Sequence, residues 1–168
     1  TYCLRQLLLI FPLLVLNAYG QGVSSFPASN SIHLITPEAL EKSGVKNLRS
    51  IFKDSRGLMW FGTENGLFRF DGTNVVYSHH IVGDTTSLPD NTINSITEND
   101  HGELWIGTNG GIALLNAFDL KCIRFNESNG RLKTNFDNKI IVDGQGVAWT
   151  VNVNGLEKYN AATKKFQS

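Results

Sequence analysis

Three aspartates, Asp54, Asp100 and Asp143, recur along the chain in a pattern that could support chemistry. Grouped carboxylates bind calcium through their oxygens or act as general acids and bases. Each of the three lies in a short segment that ends in glycine, namely DSRG, NDHG or DGQG, which is typical of a turn between strands. The first two segments also lack the alternating oxygen ligands of a calcium loop. We therefore interpret the aspartates as turn-capping residues.

A histidine pair and a cysteine are the next candidates for metal or nucleophilic chemistry. His79 and His80 are adjacent, and adjacent side chains on a strand point to opposite faces, so both cannot bind one metal. No cysteine or third histidine lies at ligand spacing, and we interpret the pair as solvated loop residues. Cys122 alternates with Ile123 and Phe125 in an apolar stretch, which predicts a buried structural thiol.

The glycine-rich segments GTENG and GTNGG resemble phosphate-binding loops at first sight. A phosphate loop leads into a helix and usually carries Lys followed by Ser or Thr, and neither segment does so. We interpret both as hairpin turns. Because the chain has no GxSxG, HExxH or paired Cys and His motif either, the sequence assigns no catalytic, cofactor-binding or metal-binding residue.

Two polar loops are better suited to binding a ligand. The segments HHIVGDTTSLPDN (His79–Asn91) and NESNGRLKTN (Asn126–Asn135) carry Asp, Asn, His and Arg side chains that suit sugar hydroxyls or carboxylates. Loops on a rigid scaffold are where binding residues usually lie. The sequence singles out no individual ligand-binding residue within them.

An internal repeat indicates the scaffold that carries these loops. The segment GLMWFGTENGLFRFD returns as GELWIGTNGGIALLN and, with more changes, as GVAWTVNVNGLEKYN. Its tryptophans, Trp60, Trp105 and Trp149, are 45 and 44 residues apart. A period of about 40–50 residues with one Trp and paired glycines is typical of a β-propeller blade. The sequence therefore predicts an all-β propeller with about three four-stranded antiparallel blades of an incomplete ring.

Each unit predicts four short strands joined by hairpin turns. We expect each Trp to pack between neighbouring blades, and Gly62 and Gly107 to let backbones approach where the blades converge. In the third unit Val151 and Asn152 replace the Gly and Thr of this motif. The strands predicted in the first unit are Leu48–Lys53, Leu58–Thr63, Gly66–Asp71 and Asn74–Ser78.

The N-terminal residues predict export. Arg5 precedes the apolar run Leu7–Leu16, and the small residues Ala18 and Gly20 suit cleavage before Gln21. This pattern indicates a secretory signal peptide over residues 1–20, since a membrane-spanning helix needs about 20 apolar residues. A flexible leader over residues 21–31 is expected to follow.

The remaining residues divide by the repeat. Ile32–Ile35 lies where a fourth strand would end a preceding blade, so we expect residues 32–44 to supply a closing strand and a linker. Propellers use about 4–8 blades, and we expect this chain of 168 residues to be the N-terminal fragment of a longer ring. The predicted blades comprise residues 45–90, 91–134 and 135–168.

Charge argues against one class of partner. The chain has 15 basic and 15 acidic residues and no run of either sign. Binding to nucleic acid depends on basic clusters that neutralise phosphates, so we expect no contact with nucleic acid. We expect no cofactor.

The segments SIFKDSRGLMWFGTENGL and SITENDHGELWIGTNGGI, with TTSLPDNTINSI between the two motifs, resemble the two-component regulator propeller repeat. The resemblance covers about residues 45–168, in part only for the third unit. It implies a periplasmic sensor region of a Bacteroidetes-type hybrid two-component histidine kinase, tethered to the inner membrane by a downstream helix. Such sensors commonly respond to oligosaccharides, so the resemblance implies ligand sensing without catalysis by this segment.

The expected partners are an oligosaccharide, the remaining blades of the same chain and, in the full-length receptor, a second copy of the chain. Two alternatives stay open. One is a secreted propeller enzyme that acts on polysaccharides, as a lyase or a glycosidase. The other is a binding propeller that takes no part in signalling.

Overall fold

The computed structural model describes residues 45–136, 138–153 and 155–168, all within one compact unit. The predicted signal peptide (1–20), leader (21–31) and closing strand Ile32–Ile35 lie outside the described residues. Every regular element in the described part of the chain is a strand. No helix there is long and apolar enough to cross a membrane.

The strands form three four-stranded antiparallel sheets, each with its strands in chain order. The first sheet consists of β1 (Leu48–Lys53), β2 (Met59–Thr63), β3 (Leu67–Phe70) and β4 (Val75–Ser78). The second consists of β5 (Ile93–Glu98), β6 (Leu104–Thr108), β7 (Gly111–Leu115) and β8 (Cys122–Phe125). The third consists of β9 (Lys139–Val142), β10 (Ala148–Asn152), β11 (Gly155–Asn160) and β12 (Lys165–Gln167). The predicted all-β fold of four-stranded antiparallel blades is confirmed.

The turn between the first two strands of each blade ends in a glycine with positive φ. The φ angles of Gly57, Gly102 and Gly146 are 89°, 73° and 77°. A residue with a Cβ is strained in this left-handed region, whereas glycine enters it freely. The recurring glycine therefore follows from the backbone path of a tight turn.

Two tryptophans are buried between neighbouring blades. Trp60 is fully buried in a cluster with Leu104, Ile106 and Leu115 of the second blade. Trp105 packs against Tyr159 and Phe166 of the third blade, with ring centroids 5.0 and 5.6 Å apart. Packing of Trp60 and Trp105 between blades is confirmed. Trp149, on the opposite face of the third blade, is only half-buried.

Close backbone approach explains the glycine two residues after Trp60 and Trp105. A Cβ on Gly62 would lie 2.6 Å from Ile93 Cγ2, and a Cβ on Gly107 would lie 2.3 Å from the Asn138 carbonyl oxygen. Both contacts reach the first strand of the next blade or the residue just before it. The predicted role of these glycines is confirmed. Val151, at the same position in the third blade, is 50% exposed and meets no such constraint.

Candidate functional site

The Asp54 carboxylate holds together one turn and one tryptophan. Its Oδ1 accepts hydrogen bonds from the backbone N–H groups of Arg56 and Leu58, at 3.1 and 2.9 Å. Its Oδ2 accepts from the Trp60 indole at 3.0 Å and from the Arg56 guanidinium at 2.8 Å. Burial raises the pKa of Asp54, but these hydrogen bonds outweigh it and hold the pKa below its usual value. Both oxygens of the Asp54 carboxylate are therefore engaged in hydrogen bonds that stabilise the turn and orient Trp60.

Asp143 has the same role in the third blade. It accepts hydrogen bonds from the backbone N–H groups of Gln145 and Val147 at 2.9 and 3.0 Å, and from the Trp149 indole at 2.7 Å. The indole and the Val147 amide hold the pKa of Asp143 below its usual value. Turn capping is confirmed for Asp54 and Asp143. Neither the motif nor its spacing had indicated the bond to the tryptophan.

In the second blade the capping residue is Asn99, and the interpretation of Asp100 as a cap was wrong. Asn99 Oδ1 accepts from the backbone N–H groups of His101 and Glu103, both at 3.0 Å. Its Nδ2 donates to Glu103 Oε2 at 3.0 Å. The cap lies six residues before the tryptophan, and Asp100 is one residue too late to reach the same amides.

Cys122 has a structural role. Cys122 is buried, its Sγ donates to the Ser87 carbonyl at 2.8 Å, and burial raises the pKa of the thiol to about 11. The prediction of a buried structural thiol is confirmed. Among the described residues, no three His, Cys, Asp or Glu side chains lie close enough together to hold a metal ion.

The two histidines have different surroundings. The His79 ring is exposed and stacks on Tyr77, with centroids 5.0 Å apart and planes 9° from parallel. His80 is half-buried, and its Nδ1 lies 2.7 Å from the Leu88 carbonyl oxygen, so Nδ1 carries the proton in this bond. The interpretation of both as solvated is therefore wrong for His80, which connects the two ends of its loop.

The loop His79–Asn91, called here the first interblade loop, lies against the outer strand of the second blade. Its Thr86 carbonyl accepts from the Cys122 N–H at 2.8 Å. The Arg124 guanidinium on β8 donates to the Ser87 carbonyl at 2.7 Å, the Asp84 carbonyl at 2.6 Å and the Leu88 carbonyl at 3.0 Å. The loop therefore covers a sheet edge that would otherwise expose unpaired backbone groups.

The second polar loop has a similar contact with the third blade. The Arg131 carbonyl accepts from the Phe166 N–H of β12 at 2.8 Å. The sequence predicted polar loops free to bind ligands, whereas the structure gives both loops a role in covering a strand. Leu88, the fully buried apolar residue of the first interblade loop, is the signal that could have indicated this packing.

We expect replacement of Arg124 by Met to release the first interblade loop. Met keeps the aliphatic stem but removes the guanidinium that donates to three part-buried carbonyls, and we expect a loss of about 1–3 kcal/mol in the free energy of unfolding. Urea denaturation measures this loss, and limited proteolysis should show new cleavage within residues 79–91. Arg49→Met is the control, because its ion pair with Glu64 is exposed. Equal proteolysis of both variants and the unaltered chain would contradict the assignment.

A shallow cleft of about 280 Å³ lies beside the first interblade loop. Its lining includes Tyr77, His79, Ile81, Asp84, Asp119 and Lys121. The Tyr77 hydroxyl donates to the Asn65 carbonyl at 2.6 Å, which fixes the orientation of the exposed ring. Hydrogen bonds from the Thr86 side chain and amide hold the pKa of Asp84 below its usual value, so this carboxylate is ionised at neutral pH. The cleft thus combines a fixed aromatic pair with charged groups.

Comparison with known proteins identifies the repeat. The family model described as two component regulator propeller matches residues 43–65 and 87–110. The chain carries two-component regulator propeller repeats. The matched repeats include the first two strands of the first and second blades, with the turns capped by Asp54 and Asn99. A search among curated proteins found no match to the chain.

Solved structures share the propeller fold. The extracellular domain of BT3049 from B. thetaiotaomicron, described as a hybrid two component system, is 26% identical with a TM-score of 0.64. The match covers 74% of this chain and 18% of that chain, so the repeats span less than a fifth of the domain that they resemble.

Two more distant structures show the fold alone. PorZ, a surface component of the type-IX secretion system of Porphyromonas gingivalis, is 17% identical with a TM-score of 0.54, covering 66% of this chain and 17% of that chain. Virginiamycin B lyase from Staphylococcus aureus is 18% identical with a TM-score of 0.55, and the match covers 80% of this chain and 42% of the lyase chain.

Proposed function

We propose that this chain is part of an extracytoplasmic sensing propeller of a hybrid two-component system. The observation that carries the proposal is the pair of two-component regulator propeller repeats, together with the similarity to the extracellular domain of BT3049. The segment binds the signal molecule without chemical change, and a histidine kinase elsewhere in the full-length protein reads out the binding. The capping carboxylates are engaged in turns, which agrees with a binding role.

The ligand class that we propose is an oligosaccharide, bound in the cleft beside the first interblade loop. The exposed His79 ring, held by its stacking on Tyr77, offers an aromatic face suited to the C–H face of a sugar ring. Asp84 and Asp119 supply carboxylate oxygens for hydroxyl groups, and Lys121 supplies a donor. Because hydrogen bonds fix Tyr77 and the loop, the site is arranged before the ligand binds, which lowers the entropic cost of binding.

Isothermal titration calorimetry with neutral and acidic oligosaccharides tests the proposal. We expect Tyr77→Ala to weaken binding about tenfold, since loss of an aromatic contact costs about 1–1.5 kcal/mol. Phe136→Ala is the control, because Phe136 is also an exposed aromatic residue but does not line the cleft. Binding that is unchanged in Tyr77→Ala would move the site elsewhere on the propeller. A complete lack of heat with every oligosaccharide would contradict the ligand class.

A further inference from the structure

One face of the third blade, called here the open face, is turned away from the second blade. It carries Ile141, Trp149, Val151 and Leu156, on the side of the sheet opposite to Tyr159. Ile141, Val151 and Leu156 are 63%, 50% and 57% exposed. A group of large apolar side chains that is exposed on one sheet face indicates a surface that another element covers.

The equivalent face of the first blade shows what covers such a surface. Trp60 occupies the position of Trp149, and the second blade buries it fully. Arg69, the register partner of Trp60, lies over the indole at 5.9 Å and donates to the Ala117 carbonyl of the second blade at 2.6 Å. Lys158 is likewise the register partner of Trp149 and lies over its ring at 5.1 Å. The open face therefore has the chemistry of a blade face, and the occupant that fits it is a further blade of the same propeller.

A pair of small residues allows the innermost strand of the next blade to come close in the first two blades. These register pairs are Ser50–Gly62 and Ser95–Gly107. A Cβ on Gly107 would lie 2.3 Å from the Asn138 carbonyl oxygen of the third blade. The Ser95 hydroxyl also accepts a hydrogen bond from a backbone N–H of β9 at 2.9 Å. The serine and the glycine thus determine how closely the innermost strands of neighbouring blades approach each other.

The third blade carries Lys139 and Val151 at the same two positions, so the open face lacks both small residues. A lysine side chain only donates, and it cannot accept the hydrogen bond that Ser95 accepts. At the spacing of the second and third blades a Cβ here lies 2.3 Å from the next backbone, whereas heavy atoms in contact lie about 3.5 Å apart or more. The innermost strand of a further blade must therefore stand about 1 Å or more farther away. Lys139 is exposed, and its ammonium is costly to remove from water without a partner.

We propose that a further blade covers the open face and that its innermost strand stands away from β9, which makes this junction wider than the two that precede it. The further blade covers Trp149 and Lys158, whereas the Lys139 ammonium stays in contact with water inside the wide junction. Because fewer contacts join the innermost strands there, the propeller opens at this junction before it opens at the other two. The proposal is independent of the oligosaccharide site, which lies between the first and second blades.

Acetylation of lysines in the unaltered full-length protein, followed by mass spectrometry, tests both parts of the proposal. We expect Lys139 to react about as fast as Lys121, which is exposed on the second blade. Lys158 should react at least about tenfold more slowly, because it becomes accessible only when the junction opens. Fast reaction of both Lys139 and Lys158 would show that nothing covers the open face. Slow reaction of both would show a close junction like the two before it, and either result would overturn the proposal.

Enlargement of the side chain at the junction tests its width directly. We expect Val151→Leu to change the melting temperature of the full-length protein by less than about 2 °C, because the wide junction has room for another methylene. Gly107→Val is the matched comparison in a close junction, and it should lower the melting temperature by at least about 6 °C or prevent folding. A loss in Val151→Leu as large as that in Gly107→Val would show that the third junction is closely packed, which contradicts the proposal.

Discussion

Replacement of Gly107 by alanine is expected to lower the free energy of unfolding by about 3 kcal/mol or more. The new Cβ would lie 2.3 Å from the Asn138 carbonyl oxygen and 2.6 Å from Ser95 Oγ. The Ser95 hydroxyl accepts from the Ile140 N–H at 2.9 Å, so neither neighbour moves without loss of contact between the second and third blades. Urea denaturation followed by tryptophan fluorescence measures the loss.

Gly144→Ala is the matched control for this substitution. No atom lies within 4 Å of the position that a Cβ on Gly144 would occupy. We expect Gly144→Ala to change the free energy of unfolding by no more than about 1 kcal/mol, because alanine restricts the unfolded chain and meets no clash in the folded one. If the two variants unfolded at the same urea concentration, the close approach of the blades at Gly107 would be contradicted.

Replacement of Asp54 by alanine is expected to cost about 2–4 kcal/mol of unfolding free energy. The fully buried Trp60 indole loses its acceptor, and the N–H groups of Arg56 and Leu58 lose theirs. Asp54→Asn should cost less, since Oδ1 can still cap the turn, as Asn99 does in the second blade. A double-mutant cycle that combines Asp54→Ala with Trp60→Phe isolates the hydrogen bond between the carboxylate and the indole. We expect a coupling free energy of at least about 1 kcal/mol between the two substitutions.

The pH dependence of stability checks the same contact. Because the pKa of Asp54 is lowered in the folded state, its stabilisation is fully present above the unfolded value of about 3.9. It is lost as the pH falls through the folded pKa, where the carboxylate becomes protonated in both states. The difference in stability between the unaltered chain and Asp54→Asn should therefore narrow below about pH 4. A difference that stays constant from pH 7 to pH 3 would contradict the role of the charge.

Much of the blade could be predicted because its determinants are local. The β1 bounds agree with the prediction, β2 and β4 each begin one residue later than predicted, and β3 is one residue shorter at both ends. The turn at Asp54–Gly57 is stabilised by hydrogen bonds that span at most six residues. Because both partners of each bond lie within one short motif, the sequence is enough to predict the turn. The cap in the second blade was misplaced by one residue, because both Asn99 and Asp100 suit a turn by type. Only the hydrogen-bond register distinguishes them.

The candidate site depended on contacts that no local pattern contains. Arg124 donates to the Asp84 carbonyl across 40 residues of sequence, and this bond makes a polar segment into a fixed wall of the cleft. Glu157 occupies a strand position that alternation alone would allow to face solvent, yet packing against the second blade buries it.

The sequence by itself determined the repeat, the strands, the turns and the glycines at which blades converge, because period, turn chemistry and backbone freedom act within a few residues. Only the tertiary structure decided which loops cover a sheet edge, where the aromatic cleft lies and which carboxylate is buried without a charge partner. These features arise when sheets from distant parts of the chain pack face to face, and that packing sets which side chains lose contact with water.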